Sequence, residues 1–589
     1  MRTGPRALWL ALLVVLAIGA PWPGAHAYYE EALPQPPSHA ASFTRHAVAA
    51  DHPLASEAGA RVLAQGGNAA DAVVATALAL GVVSPASSGL GGGGFALYYR
   101  ASDHTVTFLD FREEAPSAAS PTTFVRREGD TDVIAAQRSQ IGGLAVAVPG
   151  EPLGLETMLE RFGSHRVTRR RIAEPAAQLA QAGWPASRYT STYAAPMLES
   201  LRADRVLGAF LPPGAERLEQ GSTLRNAALA HTIRRFGAEG ARPFYRGAIA
   251  RAIAREVQRR GGVITAADLA AYRVRERVPL EGVRFGRRWV VAPPPSAGGF
   301  TMLESLGLLE RWMPHPHEGA RFRHALAESW KGAFRDRALY AGDPDFVTIP
   351  VDRLLDAARL DARAQRFDRF AARAMADYDV PGESFGDADA TPRDHGTSHV
   401  CVVDAEGNVA SLTTTVNLPF GARFTVEGMV MNDQMDDFAR ELGAPNAFGL
   451  PGGSANLPGP HHRPVSTMSP TIVFDGAQPI LCVGGSGGSR IVTAAEQVAL
   501  FQLLLGDDAG AAVRRARVHH QGMPTGLSYE QALDPRIVAG LVARGHEVSP
   551  VETSANVQTI RIHRDPSSGA IRLLDAASDL RKDGEPRGL

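Results

Sequence analysis

A polar, turn-rich stretch at residues 380–396 divides this 589-residue chain, and the segment beyond it reads as one strand after another. Pro, Gly, Ser and Asp crowd that stretch, the composition of a linker or exposed loop rather than of a packed element. Past it, residues 400–403, 409–416, 426–431, 471–474 and 480–483 are short apolar runs of strand character, and 491–505 reads as a helix. Ahead of it, helix and strand patterns alternate from Ala47 onward, after an exposed lead-in at 28–45. Residues 54–80 are Ala-rich and helical apart from Gly66-Gly67-Asn68, 95–99 and 106–111 read as strands, and 152–280 are mostly amphipathic helices. Residues 289–292 form a strand that stops at Pro293-Pro294-Pro295, and 318–340 are helical. Helices on both sides of a strand-rich centre predict a layered α/β (α+β) architecture, with sheets inside and helices outside.

The junction itself carries chemistry. If the Gly396-Thr397 bond breaks, Thr397 holds a hydroxyl and a free amine on one residue, a nucleophile with its own base. The rest of the chain supplies few rivals. Net charge is −1, so nothing points to nucleic acid or to an anionic membrane surface. No GxSxG turn marks a serine nucleophile, and no HExxH motif marks a metal. Two cysteines, Cys401 and Cys482, cannot make a thiolate zinc site. Both lie in strand-like runs, where a disulfide or two buried thiols would fit. Lys331 and Lys582 are the only lysines, so nearly all of the 61 basic residues are arginine.

The N-terminus has the form of a targeting segment. Arg2 and Arg6 precede an apolar run at 7–20, and Ala25-His26-Ala27 has the small-x-small form of a cleavage site. The run is short for a membrane span. The expectation is a signal peptide at 1–27 and an exported mature protein, periplasmic or secreted, without a stable membrane anchor.

Two glycine-rich loops and one acidic loop need separate readings. Gly89 to Gly94 fits GxGxxG, but a helix precedes it and a strand comes after, the reverse of a dinucleotide-binding turn. A backbone loop packed closely on another segment fits better. Gly484-Gly485-Ser486-Gly487-Gly488-Ser489-Arg490 ends a strand and opens a helix, a place where backbone N–H groups can hold a phosphate or an oxyanion, or simply form a tight turn. No Walker lysine accompanies it. Asn432-Asp433-Gln434-Met435-Asp436-Asp437-Phe438 reads as a solvated turn, a cation loop without EF-hand spacing, or a cradle for an ammonium group. Arg112 is a matching clamp for a carboxylate.

Taken together and in order, several segments resemble the γ-glutamyltransferase (γ-glutamyltranspeptidase) family of N-terminal nucleophile hydrolases. They are Gly66-Gly67-Asn68-Ala69-Ala70-Asp71-Ala72, Leu90 to Phe95, Asp110-Phe111-Arg112-Glu113, Pro293 to Gly299, Gly342-Asp343-Pro344-Asp345-Phe346, Gln434 to Phe438, Arg463 to Pro470, and the loop 484–490. The resemblance implies a four-layer αββα sandwich. It implies a precursor that cuts itself before Thr397 into a large subunit, 28–396, and a small one, 397–589, which stay together. Thr397 would be the nucleophile, oriented by Thr415, and the N–H groups of Gly487 and Gly488 would form the oxyanion hole. Arg112, Ser466 and Thr467 would hold the α-carboxylate of a γ-glutamyl group, and Asn417, Gln434 and Asp437 its α-amine. The implied substrate is a glutathione-like γ-glutamyl amide, with water or an amino acid or peptide as acceptor, and no metal or organic cofactor.

Three positions depart from the family pattern. Ser398 comes after the nucleophile where threonine is common, Asp433 replaces a common asparagine, and Phe448 stands in the lid loop where some members carry tyrosine. The missing hydroxyl at Phe448 predicts a looser lid and easier water access. Two other readings share this fold: a cephalosporin or glutaryl acylase, and a catalytically silent binding protein. Asp437 argues against the first, because a glutaryl group brings no ammonium to pair with it. Intact Thr397, Thr415 and Gly487-Gly488 argue against the second.

Overall fold

Strand residues buried on both faces explain why the apolar runs of this chain are continuous rather than alternating. The computed structural model describes residues 39–589 except 126–130, 132–136, 212, 379–395, 441 and 443–444. The expected leader and nearly all of the expected linker lie outside the described residues.

Fourteen strands build two seven-stranded sheets. They are β1 (Ala40–Phe43), β2 (Ala47–Ala50), β3 (Gly93–Arg100), β4 (Thr105–Phe111), β5 (Arg275–Arg277), β6 (Leu280–Arg284) and β7 (Arg287–Val291). After the break come β8 (Ser398–Val403), β9 (Val409–Thr415), β10 (Thr471–Asp475), β11 (Gln478–Ser486), β12 (Asn556–Arg564), β13 (Ile571–Ser578) and β14 (Arg587–Gly588). One sheet runs β1-β13-β12-β11-β10-β7-β6 and the other β14-β2-β8-β9-β3-β4-β5, with every neighbouring pair antiparallel. Both sheets therefore mix strands from before and after residue 396.

Period-two alternation sorts the side chains into layers. Phe95, Leu97, Cys401, Val403, Ile472, Cys482 and Ile560 meet in the core between the sheets. Ala96, Tyr98, Val400 and Val402 point the other way, into a core shared with α1 (Pro53–Ala64), α2 (Ala69–Val83) and α3 (Glu151–Phe162). On the far side, Trp289, Val291, Val473, Leu481 and Val483 pack against α4 (Gly298–Trp312), α5 (Ala320–Tyr340) and α6 (Arg490–Leu503). The result is the expected four-layer αββα sandwich. Cys401 and Cys482 are free, buried thiols of its central layer.

Local signals account for several motifs. Asn68 caps α2: its side chain accepts from the Ala70 and Asp71 amides at 3.1 Å, and the Asp71 carboxylate accepts from the Asn68 amide at 3.0 Å, a capping box. Between α5 and the C-terminal region, the His324 and His546 rings hydrogen-bond at 2.7 Å, while Glu328 is held by Lys331 and Tyr378. Two expectations need correction. The lead-in is not wholly exposed, because Ala40–Phe43 forms an edge strand against β13. Residues 426–431 are not one strand but a tight hairpin, Thr425–Val426 paired with Met429–Val430, since Glu427 and Gly428 turn with positive φ.

Candidate active site

Gly396 and Thr397 lead directly into β8, and both have positive φ, 109° and 69°. A β-branched residue rarely adopts this conformation, at a cost of about 1–3 kcal/mol. Position 396 admits only glycine, since a Cβ there would lie 1.7 Å from the Asn417 carbonyl oxygen. The surroundings hold the polar atoms of the junction. The Gly396 amide donates to Tyr189 Oη at 2.8 Å and the Thr397 amide to the Ser87 carbonyl at 3.0 Å. Thr397 Oγ1 lies 3.0 Å from Thr415 Oγ1, which also accepts from the Asn417 amide at 2.8 Å. Lys582 donates to the Thr397 carbonyl. In this uncut chain the Thr397 nitrogen is an amide, whose lone pair is delocalised into the carbonyl and cannot act as a base.

Thr397 opens on a narrow cavity of about 20 Å³, room for little more than a water molecule. Nine of the expected residues line it: Arg112, Thr397, Thr415, Asn417, Gln434, Asp437, Ser466, Thr467 and Gly488. Gly487, the other expected oxyanion donor, does not; it sits one residue back in the loop between β11 and α6. Thr467 Oγ1 donates to the Gly488 carbonyl at 2.8 Å, so the Arg463 to Pro470 segment buttresses that loop. The segment is itself fixed by the proline-rich turn, through Ala297 N to Ser466 O at 2.9 Å and Ser296 Oγ to Met468 O at 2.6 Å. Arg463 locks its other end, 2.7 Å from Asp110, while its amide donates to Asp343 at 2.7 Å. Burial pushes the Asp343 carboxyl up to about 6.

Electrostatics in the cavity centre on Arg112 and Asp437, which form an ion pair. Arg112 also donates to the Pro464 and Val465 carbonyls at 3.2 Å, and Gln434 Nε2 donates to Asp437 at 2.7 Å. Burial raises Asp437, and the Arg112 charge opposes that rise. Glu113, fully buried and 3.8 Å from Arg112, is pushed up to about 8 by burial, against the opposing Arg112 charge. Asp433 does not line the cavity. One of its oxygens accepts from the Leu418 amide at 3.0 Å and the other has no partner among the described residues. Burial, and then the neighbouring Asp436, raise its pKa well above the usual carboxylate range.

Phe448 and Leu450, in the segment expected to form a lid, line the cavity. Three hydrogen bonds tie the segment down. The Ala447 amide donates to Asp436 at 3.0 Å, Asn446 reaches Asp437 at 3.5 Å, and Gln521 Nε2 donates to the Phe448 carbonyl at 3.0 Å.

With this geometry in place, the sequence matches the gamma-glutamyltranspeptidase family model over residues 55–589. The chain belongs to the gamma-glutamyltranspeptidase family. It is 35% identical over 526 residues to the glutathione hydrolase proenzyme of Escherichia coli K12, covering 88% of each protein. It is 35% identical over 561 residues to glutathione hydrolase 2 of Arabidopsis thaliana, covering 92% of this chain and 93% of that protein. Among solved structures, cephalosporin acylase from Bacillus halodurans superposes with a TM-score of 0.80 at 24% identity, over 95% of this chain and 98% of that one. That likeness shows that the two chains share a fold. Gamma-glutamyltranspeptidase from Pseudomonas nitroreducens complexed with L-DON matches with a TM-score of 0.50 at 31% identity, over 55% of this chain and 94% of that one.

Sequence reasoning missed four residues of this family member's site: Lys582, Asp51, Tyr189 and Arg337. Lys582, seven residues from the C-terminus, reaches the Thr397 carbonyl, pairs with Asp51 at 2.7 Å and lies 4.7 Å from the centre of the Tyr189 ring. Asp51 also accepts from Gln558 at 2.6 Å and from Ser486 at 3.2 Å, just ahead of the Gly487-Gly488 loop. One signal was present for Lys582: it is one of two lysines in a chain of arginines. Arg337 lines the cavity from α5.

Proposed function

We propose that this protein is a γ-glutamyl acyltransferase and hydrolase acting on glutathione and related γ-glutamyl amides, exported and made as a precursor. In the first step Thr397 Oγ attacks the Gly396 carbonyl carbon. The C–N bond to Thr397 breaks, the hydroxyl proton passes to that nitrogen, and water hydrolyses the resulting ester. Two chains result, 28–396 and 397–589, and Thr397 gains a free amine.

In turnover that amine takes the Thr397 hydroxyl proton as Oγ attacks the γ-carbonyl of the substrate. Thr415 orients the hydroxyl. The Gly487 and Gly488 N–H groups receive the oxyanion, and loss of one such donor typically costs about 3–4 kcal/mol. The leaving amine departs with a proton, and the γ-glutamyl ester passes to water or to an acceptor amine. Arg112, Ser466 and Thr467 bind the α-carboxylate, and Asn417, Gln434 and Asp437 the α-ammonium.

The observation that carries this reading is a threonine hydroxyl at the mouth of a cavity that holds both a guanidinium and a carboxylate, Arg112 and Asp437. A γ-glutamyl group offers a partner to each. A glutaryl group offers a carboxylate alone, and by taking Arg112 it would deprive Asp437 of its ion-pair partner without bringing an ammonium in exchange. The mature enzyme is expected to hydrolyse γ-glutamyl anilide at least about tenfold faster, as kcat/KM, than glutaryl anilide. Equal rates would defeat the assignment of substrate class.

A further inference from the structure

Among the described residues, Arg337 is a buried cation with no carboxylate within ion-pair distance. It is 6% exposed, and its Nε makes no hydrogen bond. Four other deeply buried arginines behave differently: Arg323, Arg363, Arg463 and Arg517 each sit against a carboxylate. Asp336, its neighbour in sequence, is already held by Arg359 and Arg363. Isolated buried charge is costly, and a guanidinium keeps it because its proton is so tightly held. Burial brings Arg337 down to about 10, opposed by the charge of Asp437, so it remains a cation at neutral pH.

Its position gives the charge a use. Arg337 lines the same cavity as Thr397, Arg112 and Asp437. Its three charged side chains, Arg112, Arg337 and Asp437, sum to one excess positive charge. In the free protein Arg112 and Asp437 satisfy each other, which leaves Arg337 as the cavity's uncommitted cation. A phosphate-like dianion would meet the Asp437 carboxylate in the same space. An α-amino acid head group suits all three, because its ammonium takes Asp437 and its carboxylate is left to the guanidinium groups.

Resting on the γ-glutamyl reading above, we propose that Arg337 is a second carboxylate-binding residue of the acyl pocket, which receives the substrate's α-carboxylate together with Arg112. Substrate entry then exchanges partners: the ammonium displaces Arg112 from Asp437, and the carboxylate bridges Arg112 and Arg337. Recognition of the carboxylate is divided between β4's C-terminal flank and α5, so that a substrate without it loses both anchors.

The test compares γ-L-glutamyl anilide with the same compound carrying a primary amide in place of the α-carboxylate. In Arg337→Met, KM for the carboxylate substrate is expected to rise about tenfold or more, the size of a lost charge-assisted hydrogen bond, while KM for the amide analogue stays within about twofold. Arg337→Lys restores part of the difference. Equal losses on both substrates, or none on either, would overturn the proposal. If Arg337→Met does not fold, Arg337→Lys decides by the same comparison, with a smaller rise confined to the carboxylate substrate as the supporting result. Calorimetric binding of L-glutamate needs no turnover. Weaker binding in the Arg337 variant therefore supports the proposal even where neither anilide is cleaved, the result that would instead defeat the acyl-transfer reading.

Discussion

At the scale of single residues, burial rather than residue type decides who carries charge near Thr397. Asp433 shows the consequence most simply. Its carboxyl is raised in the folded chain, chiefly by burial and then by Asp436. Above the unfolded value of about 4 the native state keeps a proton that the unfolded chain has lost, so this group removes stability as pH rises toward its folded pKa. Asp433→Asn is expected to unfold at a higher temperature than the parent at pH 7, with the gain vanishing below about pH 4. A thermal melt series across that range checks it. The sequence shows Asp433 as a departure from a family pattern, but its protonation depends on neighbours brought in by the fold. Thr397, Arg112 and Asp437 could be singled out because each sits in a motif with a chemical reason, and Thr415 through the family resemblance alone. Asp51 and Arg337 could not, since nothing local distinguishes them, and Lys582 offered only its rarity as a lysine. Their roles arise from contacts hundreds of positions away, such as Lys582 with Asp51.

At the scale of elements, the glycine loops divide as their flanking structure predicts. The 89–94 loop does not open a helix; it feeds β3, which pairs with β9. A Cβ at Gly92 would lie 1.9 Å from the Thr415 carbonyl oxygen, so close approach of backbone to backbone is what this glycine serves. The 484–490 loop does end a strand and open α6, and Thr467 braces it. The lid is the element that sequence reasoning treated incompletely. Phe448 lacks a hydroxyl, but the segment is tied through main-chain groups that residue types alone do not disclose. Gln521 is the most informative tie, because it donates to the Phe448 carbonyl and accepts from Ser489 at 2.5 Å beside the oxyanion loop. Gln521→Ala is expected to loosen the lid, raise KM several-fold by loss of roughly one hydrogen bond's worth of about 1 kcal/mol, and shift the products from transfer toward hydrolysis. Product ratios at a fixed acceptor concentration measure this, and an unchanged ratio would show that the lid does not control water entry.

At the scale of the whole molecule, the two sheets interleave strands from both sides of residue 396. β8 pairs with β2, and β9 with β3, so cleavage would leave two chains joined by sheet hydrogen bonds and by the shared central core. Alternating helix and strand patterns with a strand-rich centre implied layers, and the layers are present. The interleaving was not legible, because strand order depends on pairings between segments as distant as 40–43 and 574–577. The edge strand at Ala40–Phe43 was missed for the same reason. Its short, partly exposed sequence looks like a tail until β13 lies beside it. In the proposed mechanism both chemical steps, self-cleavage and turnover, rest on the hydroxyl of Thr397. The most direct measurement is intact mass and N-terminal sequencing of the purified wild-type and Thr397→Ala proteins, paired with γ-glutamyl-anilide hydrolysis. The wild type is expected to give two chains, one beginning at Thr397, and activity. The variant is expected to stay a single uncut chain without activity. A variant cleaved normally between 396 and 397 would contradict the central role of that hydroxyl.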